Sequence, residues 1–231
     1  MFNRVAGAAL VFSLAACTAP RPRPVPQLPK AQAASVQALP APGEYQIDTA
    51  QSELRLLVYR AGPLAHLGHN HVMVNRNVTG GVQIADGISA SSFFISVPAS
   101  AFTVDDSQAR AEEGGDFAGE VPEDAKTGTR RNMLGAAVLN ATANPEVTVK
   151  SVALTGSLDA LSADLEINAA GHTSKISAPF VLQGDAHQLT ASGSIELRQT
   201  ALGITPYSLL GGALQVRDAM QLKFTITVLT N

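Results

Sequence analysis

Three of the five histidines, His66, His69 and His71, fall within six residues. They sit in the run Gly62-Pro-Leu-Ala-His-Leu-Gly-His-Asn-His-Val72. If a strand opens at Asn70, the side chains of His69 and His71 share one face. Gly68 lets the backbone turn and bring His66 towards them. Imidazoles gathered in this way suit Zn, Cu, Ni or Fe, and the Asn70 amide can orient one ring. Only three such ligands are local, and no neighbouring Cys or Glu completes a closed tetrahedral site. Two other readings use the same residues. In one the rings hydrogen-bond backbone carbonyls at the rim of a fold, and in the other they contact the polar headgroup of a ligand. All three readings stay open at this point. His172 and His187 are expected to face solvent.

Other chemistry is thin. There is no G-x-S-x-G elbow, no C-x-x-C pair and no H-E-x-x-H helix, and Gly62–Gly68 lacks the spacing of a phosphate loop. Asp105, Asp106, Glu112 and Glu113 form no defined acid–base pair, so no catalytic residue is assigned and the chain reads as a non-enzyme. The formal charge of −3 and an aromatic content of 5% with no Trp argue against a nucleic-acid partner.

The elements that must position the histidines read as strands. From Tyr45 onward the apolar period is two. It is seen in Ser52–Tyr59, Phe93–Val97, Val147–Leu154, Leu161–Ile167, Lys175–Leu182, Ser192–Arg198 and Gln221–Leu229. Gly80-Gly81, Gly156, Gly184-Asp185 and Gly211-Gly212 mark turns. Short connections favour antiparallel neighbours, and a meander of about eight strands hides its edges by closing. The expected fold is therefore all-β, an antiparallel barrel wide enough for one small or elongated guest. The acidic, Gly-rich segment Asp105–Met133 interrupts the strands. Ser107–Glu113 and Glu123–Lys126 predict one or two short helices, broken at Gly114-Gly115, that lie over a barrel mouth or form a solvated loop.

Residues 1–16 have the anatomy of a signal peptide: Arg4, then the apolar stretch Val5–Leu14, too short to span a bilayer. The stretch ends in Leu14-Ala15-Ala16-Cys17, which resembles the lipobox of bacterial lipoproteins. That resemblance implies cleavage before Cys17 and acylation of Cys17, the chain's lone cysteine. Several acyl chains at about 0.8 kcal/mol per buried methylene hold far better than one. Thr18, where Asp would imply inner-membrane retention, leans towards the outer membrane. Residues 17–42 read as a linker. It holds Pro20, Pro22, Pro24, Pro26, Pro29, Pro40 and Pro42, seven of the chain's 13 prolines, and reaches about 75 Å at most as polyproline II. The barrel domain is placed at residues 43–231.

Several stretches of that domain resemble the YceI-like family of periplasmic proteins. They are Tyr45-Gln-Ile-Asp48 with Ser52, Asn144-Pro145 with Val147-Thr-Val-Lys-Ser151, Leu165-Glu-Ile-Asn-Ala-Ala-Gly171 with Thr173, Lys175 and Phe180, and Leu202-Gly-Ile204 before the closing strand. The resemblance covers about residues 44–229. It implies a lipocalin-like barrel with an apolar pocket for a polyisoprenoid or quinone-like lipid, and it carries no catalytic residues. The segment holding the histidines departs from the family pattern, which is aromatic and apolar there. The leading expectation is an envelope lipoprotein in the periplasm that binds a hydrophobic small molecule, with His66, His69 and His71 as ligand contacts and a membrane reached through the lipid on Cys17. The alternatives are a metal-binding protein or enzyme using the same three histidines and a divalent transition metal, and a non-catalytic interaction protein of the envelope.

Overall fold

Alternation decides where the core sits. In the strand Ala160–Ala169, the residues Leu161, Ala163, Leu165, Ile167 and Ala169 are all buried, while the intervening side chains are not. The same inward/outward rhythm runs through its neighbours, so a single sheet acquires one apolar face and curls around it. The computed structural model describes residues 36, 38–184 and 187–229. The segment expected as a signal peptide, Cys17 and most of the expected linker lie outside the described residues. What is described belongs to one compact unit spanning Ala33–Asn231.

The strands are β1 (Gly43–Gln46), β2 (Glu53–Val58), β3 (Arg60–Ala61), β4 (His71–Asn75), β5 (Thr79–Ile84), β6 (Ser92–Pro98), β7 (Thr103–Val104), β8 (Glu146–Ser157), β9 (Ala160–Ala169), β10 (His172–Gly184), β11 (Gln188–Arg198), β12 (Ser208–Leu209), β13 (Leu214–Val216) and β14 (Ala219–Leu229). Eleven of them form one antiparallel sheet in the order β1-β5-β6-β8-β9-β10-β11-β14-β2-β4-β7, and β12-β13-β3 form a small second sheet. The fold is thus the antiparallel, lipocalin-like barrel expected, but with more strands than eight. The extra ones are short, or they lack the period that would reveal them. In β4, Val72, Met73, Val74 and Asn75 are all buried. Met73 faces the inside of the sheet, while Val72 and Val74 pack outward with Leu57, Ala109 and Phe117. A strand covered on both faces shows no alternation.

The large sheet closes through single links. Ile47 bridges to Val228, with its N–H donating to Gly80 O at 3.1 Å, and Asp48 N–H donates to Thr227 O at 2.8 Å. Asn75 Nδ2 donates to Pro98 O at 2.9 Å. Gly80-Gly81, expected as a turn, lies inside β5. Gly80 holds φ +131°, and a Cβ there would lie 2.0 Å from Phe94 O of the paired strand. Only glycine tolerates this approach. Gly80→Ala is expected to lose about 1–3 kcal/mol or more in a guanidinium unfolding curve. An unchanged midpoint would show that the strand has another way to pass β6.

The acidic insertion forms two helices, α1 (Ser107–Glu113) and α2 (Glu123–Leu134). Asp106 caps α1 by accepting from Ala109 N–H at 3.0 Å. α1 lies on the outer face of the barrel. Glu112 and Glu113 pair with Arg55 of β2 at 2.8 and 3.1 Å, and Glu113 also meets Lys223 of β14 at 2.6 Å. α2 is stapled to the loop before β7 by Arg130, which donates to Phe102 O and Ser100 O, and it lies against the barrel mouth, one of the two placements open to the insertion.

Candidate functional site: an apolar lumen with a polar mouth

The inward-facing side chains do not fill the barrel. A cavity of about 420 Å³ opens at the end where β2 and β11 finish and β4 and β14 begin. A second compartment of about 180 Å³ lies towards the other end. Leu54, Val149, Ile167 and Leu222 line both, so the two share a wall in mid-barrel. The deeper compartment is almost wholly aliphatic and aromatic; Ser91 is the exception in its lining. Polar groups gather at the mouth, among them His69, His71, Thr129, Asn132, Gln199 and Tyr207. A large apolar wall with a few convergent polar groups at one end is the usual make-up of a pocket for a hydrophobic small molecule.

His71 is the best-positioned of these groups. It opens β4, and its Nδ1 lies 2.6 Å from Asp105 Oδ2. This contact places the proton on Nδ1 and leaves Nε2 facing Thr129 Oγ1 of α2 at 3.5 Å, on the cavity wall. Asp105 is fully buried and holds φ +57°, an uncommon conformation for a residue other than glycine. That turn aims its carboxylate inward while Asp106 caps the helix. The second oxygen, Oδ1, accepts from Val72 N–H at 2.9 Å and Arg110 Nη1 at 2.6 Å. Arg110, itself buried, is further held by Asn70 O at 2.8 Å and Gly119 O at 2.9 Å. Burial by itself would raise the Asp105 pKa. Hydrogen bonds from His71, the Val72 N–H and Arg110 outweigh burial and hold the carboxyl below the usual carboxylate range. The histidine at the mouth is therefore fixed in direction by a buried ion pair, and its second nitrogen, beside Thr129, is presented to the cavity.

The other sequence-predicted residues divide. His69 also lines the cavity, and its ring centroid is 6.2 Å from that of His71. His66 sits on a short 3₁₀ turn, Ala65–Leu67, exposed and away from the cavity wall. Among the described residues no three His, Cys, Asp or Glu side chains converge to hold a metal ion. The Asn70 amide does not orient a histidine; its Oδ1 accepts from Arg60 N–H at 3.0 Å. His172 and His187 are exposed. Sequence reasoning assigned Asp105 to no pair and did not single out Arg110. The residues lie 34 and 39 positions from His71, and only the packing of α1 on β4 brings them together.

With this geometry in view, comparison with known proteins is informative. Among solved structures, Burkholderia cenocepacia BcnA superposes with a TM-score of 0.58 at 12% identity, covering 78% of this chain and 98% of that one. A polyisoprenoid-binding domain from Saccharophagus degradans, implicated in plant cell wall breakdown, superposes with a TM-score of 0.53 at 9% identity, covering 81% and 98%. At such identities the likeness speaks for the fold alone. A search of curated proteins by sequence returns no match. The family model described as the YceI-like domain matches residues 45–228, most of the chain and nearly all of the barrel. The chain therefore belongs to the YceI-like domain family.

Proposed function

We propose that this protein is a lipid-anchored carrier of the cell envelope whose barrel holds a single hydrophobic molecule, a polyisoprenoid or quinone-like chain, without transforming it. The observation that carries this reading is the two-compartment apolar lumen with its polar groups confined to one end. Burying apolar carbon is worth about 0.8 kcal/mol per methylene, so one five-carbon isoprenoid unit gains about 4 kcal/mol before ordering costs. The name of the Saccharophagus degradans neighbour points to the same ligand class. The headgroup lies at the mouth against His69 and His71, and the anchor is the acylated Cys17, leaving the barrel in the periplasm, on the outer rather than the inner membrane.

The direct test of binding is fluorescence titration with the apolar dye N-phenyl-1-naphthylamine, displaced by a polyisoprenoid quinone. Saturable binding with full displacement is expected. Failure to bind either compound would overturn the reading. His71→Ala is expected to weaken the quinone by about tenfold, the worth of one hydrogen bond in a dry site, and to leave the dye unchanged, because the dye has no matching headgroup. Equal loss for both compounds would show that His71 only supports the fold. The anchor is tested by intact mass of protein extracted from membranes in detergent: acyl chains on Cys17 and no residues 1–16 are expected, and an unmodified thiol would contradict it.

A further inference from the structure

The loops beside the mouth carry three exposed leucines. Leu67 is 62% exposed, Leu209 45% and Leu210 73%. They sit on one assembly of loops. Leu209 of β12 pairs with Leu214 of β13, Leu64 N–H donates to Ala213 O at 2.8 Å, and Gly68 packs against Leu214. Arg60 Nη1 braces the same loops by donating to Gly68 O at 2.7 Å. Leu209, Leu214 and Gly68 also line the cavity, so the leucines form part of its lip. Leu210, Gly211 and Gly212 adopt φ values of +51°, +65° and +94° in succession. Leucine rarely takes such a conformation. At Leu210, a strained backbone therefore holds a large apolar side chain out in solvent, two costs met at one residue with no interior contact in return.

The charge around these leucines leans basic. Residues 60–72 and 199–217 carry the exposed Arg60 and Arg217 as well as His66 and His69, and the acid that follows them, Asp218, is engaged by Thr200 and Arg198. α2 and the turn before it are balanced in charge, with Glu120, Glu123 and Asp124 against Lys126, Arg130 and Arg131. An anionic, apolar-cored surface therefore meets exposed apolar side chains and a basic excess together at the leucine lip.

We propose that this lip is a membrane-docking surface, which seats the open end of the cavity on an anionic lipid bilayer. Leu67, Leu209 and Leu210 enter the headgroup–acyl boundary, and Arg60 and Arg217 lie at headgroup level. The mouth then meets the phase in which an apolar guest dissolves, and transfer avoids water. The proposal goes beyond the carrier reading. It concerns which face touches lipid and not what the lumen holds.

The test uses the full chain with Cys17→Ser, labelled with nitrobenzoxadiazole at a single introduced cysteine. One version carries Leu210→Cys at the lip, and the other Asp159→Cys on the exposed β8–β9 turn at the far end. Vesicles of mixed phosphatidylethanolamine and phosphatidylglycerol are added. A blue shift and rise in emission at position 210, with none at 159, is the expected result. Comparing the two positions removes any contribution from the apolar N-terminal segment, which both chains share. Leu67→Ser with Leu209→Ser, in the chain labelled at 210, is expected to reduce that response by about tenfold or more, as losing two buried leucines requires. No response at 210, or the same response at both positions, overturns the proposal. A response at 210 that grows with protein concentration without vesicles also overturns it, and assigns the lip to pairing with a second copy. None of these outcomes bears on dye or quinone binding in solution, so failure here and failure of the carrier reading are separable.

Discussion

Asp105→Ala is expected to cost about 3–5 kcal/mol of folding stability, the largest loss from any single polar side chain in the domain. The carboxylate is fully buried and accepts from His71, Val72 N–H and Arg110. Removing it strands a buried guanidinium and releases the ring of His71 together with the start of β4. Arg110→Met alone should cost less, because Asp105 keeps two of its three partners. Asp105→Leu combined with Arg110→Met should regain much of the loss, since a buried ion pair and an apolar pair of similar volume are often close in energy. Urea unfolding with linear extrapolation measures all three. An Asp105→Ala midpoint within error of the unsubstituted protein would mean that the ion pair is not buried as described.

The same carboxylate sets an acid limit. Its folded pKa lies below the value of an unfolded aspartate. Its stabilising contribution is therefore fully present above the ordinary carboxylate pKa and is lost as pH falls through the folded value. Stability of the unsubstituted protein should decline on acidification below about pH 4, with a shallower decline in the Asp105→Leu, Arg110→Met chain. Parallel declines would assign the acid limit to other carboxylates.

The second large effect is expected at Leu222, where the two compartments meet. Leu222→Trp projects an indole into existing space, so folding stability should change little. Excluding one five-carbon unit from the lumen removes about 4 kcal/mol of burial, and allowing for relieved ordering costs the loss of quinone affinity is on the order of a hundredfold or more. Leu222→Ala enlarges the junction and should leave binding intact. Titration of both variants beside an unfolding curve decides the matter. A Leu222→Trp protein that folds and binds the quinone normally would place the guest outside the barrel.

Much of the fold was legible because β9, β10 and β14 alternate cleanly and are long. β4 was not, because helix α1 covers its outer face and makes both faces apolar. β5 was not, because its two glycines read as a turn when they in fact allow β6 to pass closely. β3, β7, β12 and β13 are two or three residues long, below any periodic signal. Of the site, the histidine run marked the right strand end, and two of its three rings reach the lumen. The third does not, since residues 65–67 turn in a 3₁₀ helix instead of extending. The partner that orients His71 was hidden for a different reason. Asp105 and Asp106 read as ordinary carboxylates of an acidic segment, and only a positive φ at the first sends one carboxylate inward while the second caps α1. Long-range pairing of that kind leaves no local pattern.

The central claim is that the barrel encloses a hydrophobic guest. The most direct measurement is mass spectrometry of an organic extract from the protein purified natively, without added lipid, set beside the same extract from Leu222→Trp. One apolar species per chain in the first, and its depletion in the second, is the predicted result. An extract with no stoichiometric apolar molecule, or an equal yield from both proteins, would contradict it.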